Sequence, residues 1–307
     1  MKIKEKTPIR LVRLLQGDTI GIVAPASPFN LEKFYRGIDV LKSMGYSPLI
    51  ADDLFLKNGY LAGTDENRAD MVNRLFADPN VRAIFCAKGG FGAMRILSLL
   101  DFNLIRQNPK IFVGFSDITA ILSVLNNTCG IVAFHGPLVT TLADATNETK
   151  KSLLQALASD INIKLEPKKG VTINPGLASG PVEGGNLTTL CHLIGTPYAP
   201  SFKGKILLLE DKGEALYRID RMLSQMKLSG CFEGLSGLVI GFFEDCGGHD
   251  EIHRLFEEIF KDFNIPVLAG FEVGHGRTNI TIPMGIRAAL DADRQQLTFF
   301  ETATVLK

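Results

Sequence analysis

The chain has 307 residues, of which 46% are hydrophobic and 21% charged, a composition typical of a globular protein with material for two domains. Lysine plus arginine and aspartate plus glutamate number 33 each, so no net charge favours binding to nucleic acid or to a membrane surface. No apolar run reaches the roughly 18 residues that are needed to span a bilayer.

Two features predict a cytoplasmic protein. The N-terminal segment is basic, but Arg13 interrupts its only apolar stretch, so it lacks the hydrophobic region of a signal peptide. The five cysteines are scattered and include no Cys-x-x-Cys pair. They therefore indicate reduced, buried thiols and not a disulfide framework or a zinc site.

Apolar, β-branched segments alternate with helical patterns through the first half of the chain. The apolar segments are typical of strands buried on both faces and comprise residues 19–24, 81–87, 111–113 and 131–134. Apolar residues recur at three- and four-residue spacing over residues 31–41, and Gly45 stands where that helix would end. Thr64 followed by Asp65 indicates the start of another helix. This alternation predicts an α/β fold with a parallel, doubly wound sheet.

The alternation weakens where lysine, proline and glycine dominate, between about residues 160 and 183. We interpret this stretch as a boundary and predict an N-terminal domain, a linker and a C-terminal domain over residues 1–163, 164–183 and 184–307. In the C-terminal half, residues 206–209 and 238–243 are typical of strands. A wide apolar stripe over residues 252–263 predicts an amphipathic helix.

A first candidate for chemistry follows the apolar strand that ends at Gly114. Ser116 and Asp117 stand at the start of the next helix, and a sharp strand-to-helix turn can expose a nucleophilic hydroxyl. Free peptide N–H groups at such a helix start can hold an oxyanion. The match to G-x-S-x-G is partial, because Ile118 replaces the second glycine. The alternative is that Ser116 or Asp117 only caps the helix.

Two further segments offer an acid and a base. Glu210 and Asp211 end an apolar strand, and ligands bind at that end of the strands in open α/β sheets. His275 lies between two glycines, which leaves its imidazole accessible as a general base requires. Taken singly, each segment is also compatible with an ordinary loop. Together they give the chain order Ser, Glu, His, which is known to build a catalytic triad.

A glycine-rich turn over residues 87–95 follows another predicted strand and could present the N–H of Gly90 to an anion. The turn matches neither nucleotide-binding glycine motif, and Gly90 is equally compatible with a plain turn. A histidine pair, His249 and His253, has the spacing of zinc ligands on a helix. The acid that follows the first histidine is Asp250, not the glutamate of the metalloprotease pattern, so we interpret the pair as part of a solvated helix.

These segments resemble the LD-carboxypeptidases, serine peptidases that include the muramoyltetrapeptide carboxypeptidases and the microcin C self-immunity peptidases. The resemblance is carried in order by GDTIGIVAPASP (17–28), residues 60–97, VGFSD (113–117), FHGP (134–137), GGNLTTL (184–190), LLLED (207–211) and VGHGRTNITIPMG (273–285). It implies a flavodoxin-like, parallel-sheet N-terminal domain, a smaller β-rich mixed C-terminal domain, and a homodimer. Lys88 departs from the arginine usual before the paired glycines, and the loss of a bidentate guanidinium is expected to change carboxylate or loop contacts in the substrate pocket.

The resemblance also implies residue roles. Ser116 would be the nucleophile, Glu210 the acidic member and His275 the base, and the main-chain N–H groups of Gly90 and Asp117 would form the oxyanion hole. No metal or cofactor is implied, because serine-based acyl transfer needs none.

The implied reaction is the release of the C-terminal D-Ala from the muropeptide tetrapeptide L-Ala-γ-D-Glu-diaminopimelate-D-Ala during cell-wall recycling. One alternative is a peptidase of the same family that acts on peptidyl or aminoacyl adenylates. That branch often stacks the adenine on Trp, and this chain has none. A non-catalytic ligand-binding module and a metallohydrolase built on His249 and His253 are the alternatives from other classes.

Overall fold

The computed structural model describes residues 9–306, so the first eight residues of the segment considered as a signal peptide lie outside the described residues. The strands are β1 Leu11–Val12, β2 Thr19–Val23, β3 Ser47–Leu49, β4 Val81–Cys86, β5 Ile111–Gly114, β6 Ala133–His135, β7 Lys164–Leu165, β8 Val171–Asn174, β9 Leu177–Asn186, β10 Ile206–Lys212, β11 Gly237–Glu244, β12 Val267–Ala269, β13 Ile282–Met284, β14 Arg287–Asp291, β15 Gln296–Phe299 and β16 Thr304–Val305.

Nine α-helices lie within residues 9–306. They are α1 Leu31–Ser43, α2 Asp65–Ala77, α3 Phe102–Gln107, α4 Thr119–Asn127, α5 Val139–Leu142, α6 Asn147–Ala158, α7 Leu187–Leu193, α8 Leu216–Leu228 and α9 His249–Phe260. Short 3-10 turns occupy Asp52–Phe55, Ala93–Leu99 and Ser116–Ile118. Thr64 forms a capping box with Asn67 at the start of α2, as predicted. No helix within residues 9–306 is long and apolar enough to cross a membrane.

The N-terminal sheet has the order β13-β6-β5-β4-β2-β3. Its five strands from the first half of the chain are parallel, and their order is the 2-1-3-4-5 arrangement of flavodoxin-like folds. The predicted α/β class and flavodoxin-like sheet are therefore confirmed. Strand β13 comes from the C-terminal half and pairs antiparallel with β6, a crossing that the sequence analysis does not anticipate.

The C-terminal sheet has eight strands in the order β7-β15-β14-β9-β10-β11-β12-β8. The four strands β9 to β12 are parallel, and the strands on either side are antiparallel. This mixed, β-rich sheet confirms the predicted character of the second domain.

The stretch 164–183 contains β7, β8 and most of β9. Strands β7 and β8 are the two edges of the C-terminal sheet, and edge strands tolerate the charged, proline and glycine residues that make this stretch look like a linker. The boundaries at residues 163 and 184 stay a prediction.

Alternate side chains of β10 face different cores, as the two-residue period of a strand requires. Ile206 and Leu208 belong to a large core that is continuous with the N-terminal sheet. Leu207 and Leu209 belong to a second core with helices α7, α8 and α9. The same period directs Glu210, the next even-numbered residue, toward the N-terminal sheet, and its side chain is fully buried.

The pairing of β9 with β10 depends on Gly184, which lies opposite Leu208 and has a φ of +134°. A Cβ there would overlap the backbone of Leu208. We expect Gly184→Ala to lower the free energy of unfolding by about 3 kcal/mol or more, from the clash and the disfavoured φ together. Urea unfolding followed by circular dichroism measures the loss.

Gly195→Ala is the matched control, because Gly195 also has a positive φ but has no atom within 4 Å of the position of a Cβ. It should cost only about 1 kcal/mol. Equal losses in the two variants would show that the approach of β9 to β10 is not the constraint.

Candidate active site

Ser116 follows β5 in a strained turn. Its φ is +65°, a left-handed value that is uncommon for a residue with a side chain, and α4 begins three residues later. Neither Ser116 nor Asp117 caps the helix: Ser116 Oγ lies 3.0 Å from His275 Nε2, and Asp117 Oδ2 accepts a hydrogen bond from the Ala93 N–H at 2.8 Å. The turn therefore has the geometry of a nucleophile elbow.

The partial match to G-x-S-x-G has a structural explanation. Ile118, in place of the second glycine, is fully buried, and a Cβ on Gly114 would lie 2.6 Å from its Cγ2. The elbow thus needs only the glycine on the strand side of Ser116, because Ile118, the second residue after Ser116, turns into the core and packs over that glycine.

His275 connects Ser116 with Glu210. Its Nε2 faces Ser116 Oγ, and its Nδ1 lies 2.7 Å from Glu210 Oε2. The imidazole is 16% exposed, and the glutamate side chain has no exposed surface. The three residues that the sequence suggests as nucleophile, acid and base therefore form one hydrogen-bonded chain.

The loop that carries His275 is fixed by short-range and long-range contacts. Gly274 has a φ of +108°, and a Cβ there would overlap Glu210 Oε2, so only glycine permits the close approach of the loop to the carboxylate. Asn279 Oδ1 accepts the Gly274 N–H at 3.0 Å, and the Asn279 N–H donates to Thr149 Oγ1 of α6 at 2.9 Å. Sequence reasoning missed Asn279, because nothing local distinguishes it from a loop asparagine.

The electrostatics of the pair suit a base oriented by a charged acid. Burial raises the pKa of Glu210, but interactions with His135 and His275 more than offset burial and lower its pKa to about 2. Burial lowers the pKa of His275, but the contact with Glu210 outweighs burial and raises its pKa above the usual 6.5. Glu210 is therefore ionised throughout the pH range in which His275 titrates.

Asp211, considered beside Glu210, has a different role. Its side chain accepts hydrogen bonds from Asn186 Nδ2 at 2.8 Å and from the N–H and hydroxyl of Thr188 at 2.8 and 2.7 Å. Asn186 in turn caps α7 through Thr189 and donates its N–H to Thr119 Oγ1 of α4 at 3.1 Å. Asp211 therefore fixes the strand end that delivers Glu210. Sequence reasoning missed Asn186, although its position before a helical segment marks it as a cap.

Two cavities meet at His275. One of about 230 Å³ is lined by residues that include Gly90, Ser116 and Asp117. The other, of about 580 Å³, is also lined by His275 and by residues that include Lys88 and Arg277. Gly90 and Asp117, the two predicted oxyanion donors, thus line the same cavity as Ser116. Lys88 Nζ donates to the Pro28 carbonyl at 3.1 Å.

The histidine pair lines neither of the two cavities. His249 is exposed at the start of α9, and Glu251 Oε2 accepts the Gly248 N–H at 3.1 Å at the beginning of that helix. Within residues 9–306, no group of three or more histidine, cysteine or acidic residues is placed to hold a metal ion.

Comparison with known proteins gives matches over almost the whole chain. Residues 20–136 match the LD-carboxypeptidase N-terminal domain, and residues 179–290 match the LD-carboxypeptidase C-terminal domain. A probable murein peptide carboxypeptidase of Bacillus subtilis is 37% identical over 289 residues, which cover 91% of this chain and 90% of that protein.

Solved structures agree with the sequence matches. An MccF-like protein from Bacillus anthracis superposes with a TM-score of 0.91 at 27% identity, covering 95% of this chain and 99% of that one. A muramoyltetrapeptide carboxypeptidase from Oxalobacter formigenes superposes with a TM-score of 0.82 at 30% identity, covering 92% and 97%. The resemblance carried by the sequence motifs is confirmed, and the chain belongs to the LD-carboxypeptidase family of peptidases.

Proposed function

We propose that the chain is a cytoplasmic serine carboxypeptidase that releases the C-terminal D-Ala from muropeptide tetrapeptides, acts in cell-wall recycling and forms a homodimer. The observation that carries the proposal is the hydrogen-bonded chain from Ser116 through His275 to the buried Glu210. The name of the 37% identical relative, a murein peptide carboxypeptidase, supports the substrate class. The homodimer is proposed from the family resemblance.

The geometry suggests how each residue would act. His275 Nε2 takes the proton of Ser116, whose Oγ attacks the carbonyl carbon of the diaminopimelate residue and forms a tetrahedral intermediate. Glu210 holds the Nδ1–H of His275 and compensates the positive charge that the imidazole gains. His275 then donates its proton to the nitrogen of D-Ala as the C–N bond breaks. Water, activated by the same imidazole, hydrolyses the acyl-enzyme and regenerates Ser116.

The oxyanion of that intermediate would be held by the N–H groups of Gly90 and Asp117. Ser27, in the segment that follows β2, fixes the loop of Gly90. Its Oγ accepts the Phe91 N–H at 3.0 Å, and its N–H donates to the Gly89 carbonyl at 3.2 Å. These contacts favour a preorganised donor and not a mobile turn. Asp117 is a suitable second donor, because it is the first residue after the nucleophile.

The structural likeness to an MccF-like protein supports a second candidate, a peptidase for aminoacyl or peptidyl adenylates. This chain has no Trp to stack on a base, so we place that activity second.

Replacing the nucleophile tests the mechanism. We expect Ser116→Ala to lose turnover of the tetrapeptide, with kcat falling on the order of 10⁶-fold as in a serine protease of another fold. The unfolding temperature should stay close to that of the wild type, because Ser116 caps no helix. Ser123→Ala, which removes a buried hydroxyl of α4 away from the site, is the control and should keep wild-type turnover. A Ser116→Ala enzyme that still turns over would remove the elbow from the mechanism.

The pH dependence follows from the raised pKa of His275. A general base must be neutral, so kcat/KM should rise with pH, with a midpoint above 6.5, and then stay level. Glu210→Gln removes the charge that raises this pKa and leaves burial, which lowers it. We therefore expect the midpoint to fall below 6.5 and kcat to fall on the order of 10⁴-fold. Rate profiles of both enzymes between pH 5 and 9 check this, and an unchanged midpoint would separate Glu210 from His275.

Substrate comparison separates the two candidate activities. We expect D-Ala release from the tetrapeptide, seen as tripeptide by mass spectrometry, and at least ~10-fold lower kcat/KM for the L-Ala and amidated forms. An inverted stereocentre misdirects the leaving residue, and amidation leaves the partner of the terminal carboxylate buried and unpaired. An acyl-sulfamoyl adenylate should bind weakly. Preference for the adenylate would replace the muropeptide assignment and keep the triad.

A further inference from the structure

His135 is a buried polar residue that the proposed mechanism does not use. It ends β6, it has no exposed surface, and neither of its ring nitrogens has a hydrogen-bond partner among residues 9–306. A buried polar group without a partner is costly, so a histidine kept in this state calls for an explanation. Its strand position lies opposite Gly114, two residues before Ser116.

One carboxylate oxygen of Glu210 also lacks a hydrogen-bond partner among the described residues. Its Oε2 accepts the hydrogen bond of His275, but Oε1 is buried and makes no hydrogen bond. An ionised carboxylate can accept about four hydrogen bonds, and leaving one oxygen of a buried charge without a donor costs more than leaving a neutral group unpaired. The distance from Glu210 Oε1 to His135 Nε2 is 3.7 Å, slightly too long for a hydrogen bond.

The surroundings hold His135 against Glu210. A Cβ on Gly185 of β9 would lie 3.3 Å from His135 Cδ2, so glycine lets the C-terminal sheet approach the imidazole. On the other side, the ring of Phe115 packs against both imidazoles, at centroid distances of 5.7 Å from His135 and 4.8 Å from His275. The two histidines are thus held on either side of one carboxylate.

The unpartnered Nδ1 indicates which ring nitrogen of His135 carries the hydrogen. A hydrogen on Nδ1 would be a buried donor without an acceptor. The tautomer with hydrogen on Nε2 is favoured, because it directs its donor toward Glu210 Oε1.

We propose that His135 is a positioning residue of the triad: its neutral imidazole donates a hydrogen bond from Nε2 to Oε1 of Glu210, and this contact tightens as substrate binds. Hydrogen bonds of active sites are often long in the free enzyme and shorten in the substrate complex. The effect is to fix the carboxylate in the plane that faces His275. The inference rests on the proposed serine mechanism, because it acts through Glu210 and His275.

The inference predicts a specific pattern of kinetics. His135→Leu removes the hydrogen-bond donor and keeps a side chain of similar volume. We expect kcat to fall about 10- to 100-fold with KM little changed, as when other residues are lost that do not touch the substrate but orient a residue that does. The titratable groups that act on Glu210 are His135 and His275. Those that act on His275 are Glu210, Asp211 and Lys212. Without His135, more of the charge of Glu210 acts on His275. The midpoint of the kcat/KM profile should therefore move to higher pH.

His135→Gln supplies an amide N–H near the position of Nε2 and should recover most of kcat and the wild-type midpoint. Thr281→Val is the control, because Thr281 is a buried residue of the neighbouring segment whose hydroxyl also lacks a partner. It should leave kcat and the midpoint unchanged. A His135→Leu enzyme with the wild-type midpoint, or a His135→Gln enzyme as impaired as His135→Leu, would overturn the inference.

A measurement on the wild-type protein does not depend on the variants folding. Long-range ¹H–¹⁵N spectra of ¹⁵N-histidine-labelled protein, with the His135 signals assigned by their loss in His135→Gln, should show hydrogen on Nε2 of His135. Hydrogen on Nδ1 of His135 and not on Nε2 would overturn the proposal. If Ser116→Ala retains turnover, the proposed function itself fails. If Ser116→Ala is inactive but the His135 tests fail, only this inference fails.

Discussion

The structure depends on one fully buried carboxylate, that of Glu210, at the meeting of the two sheets. A charge without contact to water must be stabilised by hydrogen bonds and opposite charge, or it shifts its pKa and becomes neutral. Here the side chain is directed toward the N-terminal sheet by the two-residue period of β10, and His275 reaches it from the loop between β12 and β13. The register of β10 thus fixes the orientation of the Glu210 side chain, and the imidazoles around it keep its carboxylate ionised. The hydrogen bond to that acid and its negative charge raise the pKa of His275, although burial of the imidazole lowers it.

The loop of His275 crosses between the sheets. It leaves β12 in the C-terminal sheet and enters β13, which pairs with β6 of the N-terminal sheet. Ser116 comes from the end of β5 and Glu210 from the end of β10, so each of the three side chains is held by a different part of the scaffold. The strained φ of Ser116 is sustained because Ile118 and Phe115 on either side of the turn are buried. Strand ends therefore position Ser116 and Glu210, and hydrogen bonds fix the loop of His275, which places the three groups more accurately than one flexible loop could.

The sequence predicts best what is local and strongly patterned. The strands before Ser116 and Glu210 are apolar runs, and the flanking glycines of His275 mark an accessible loop, so all three residues could be proposed before the structure. The flavodoxin-like order came from family resemblance, because strand pattern alone does not give sheet order. Strands β7, β8 and β13 were missed because short or edge strands carry weak hydrophobic signals. His135 and Asn279 were missed for a different reason: their partners are more than 70 residues away in sequence.

The usual ligand crevice of this fold lies beside the candidate site. In a flavodoxin-like sheet that crevice opens between β2 and β4, where the strand order reverses. Here a buried arginine, Arg68 of α2, directs its guanidinium there and donates to the carbonyls of Pro25 and Gly92, which follow β2 and β4. Arg68 also lowers the pKa of Asp117, although burial dominates and raises that pKa to about 6. The arginine that closes the crevice therefore favours the ionised carboxylate that accepts the Ala93 N–H beside Ser116, and so supports the turn on which the proposed nucleophile lies.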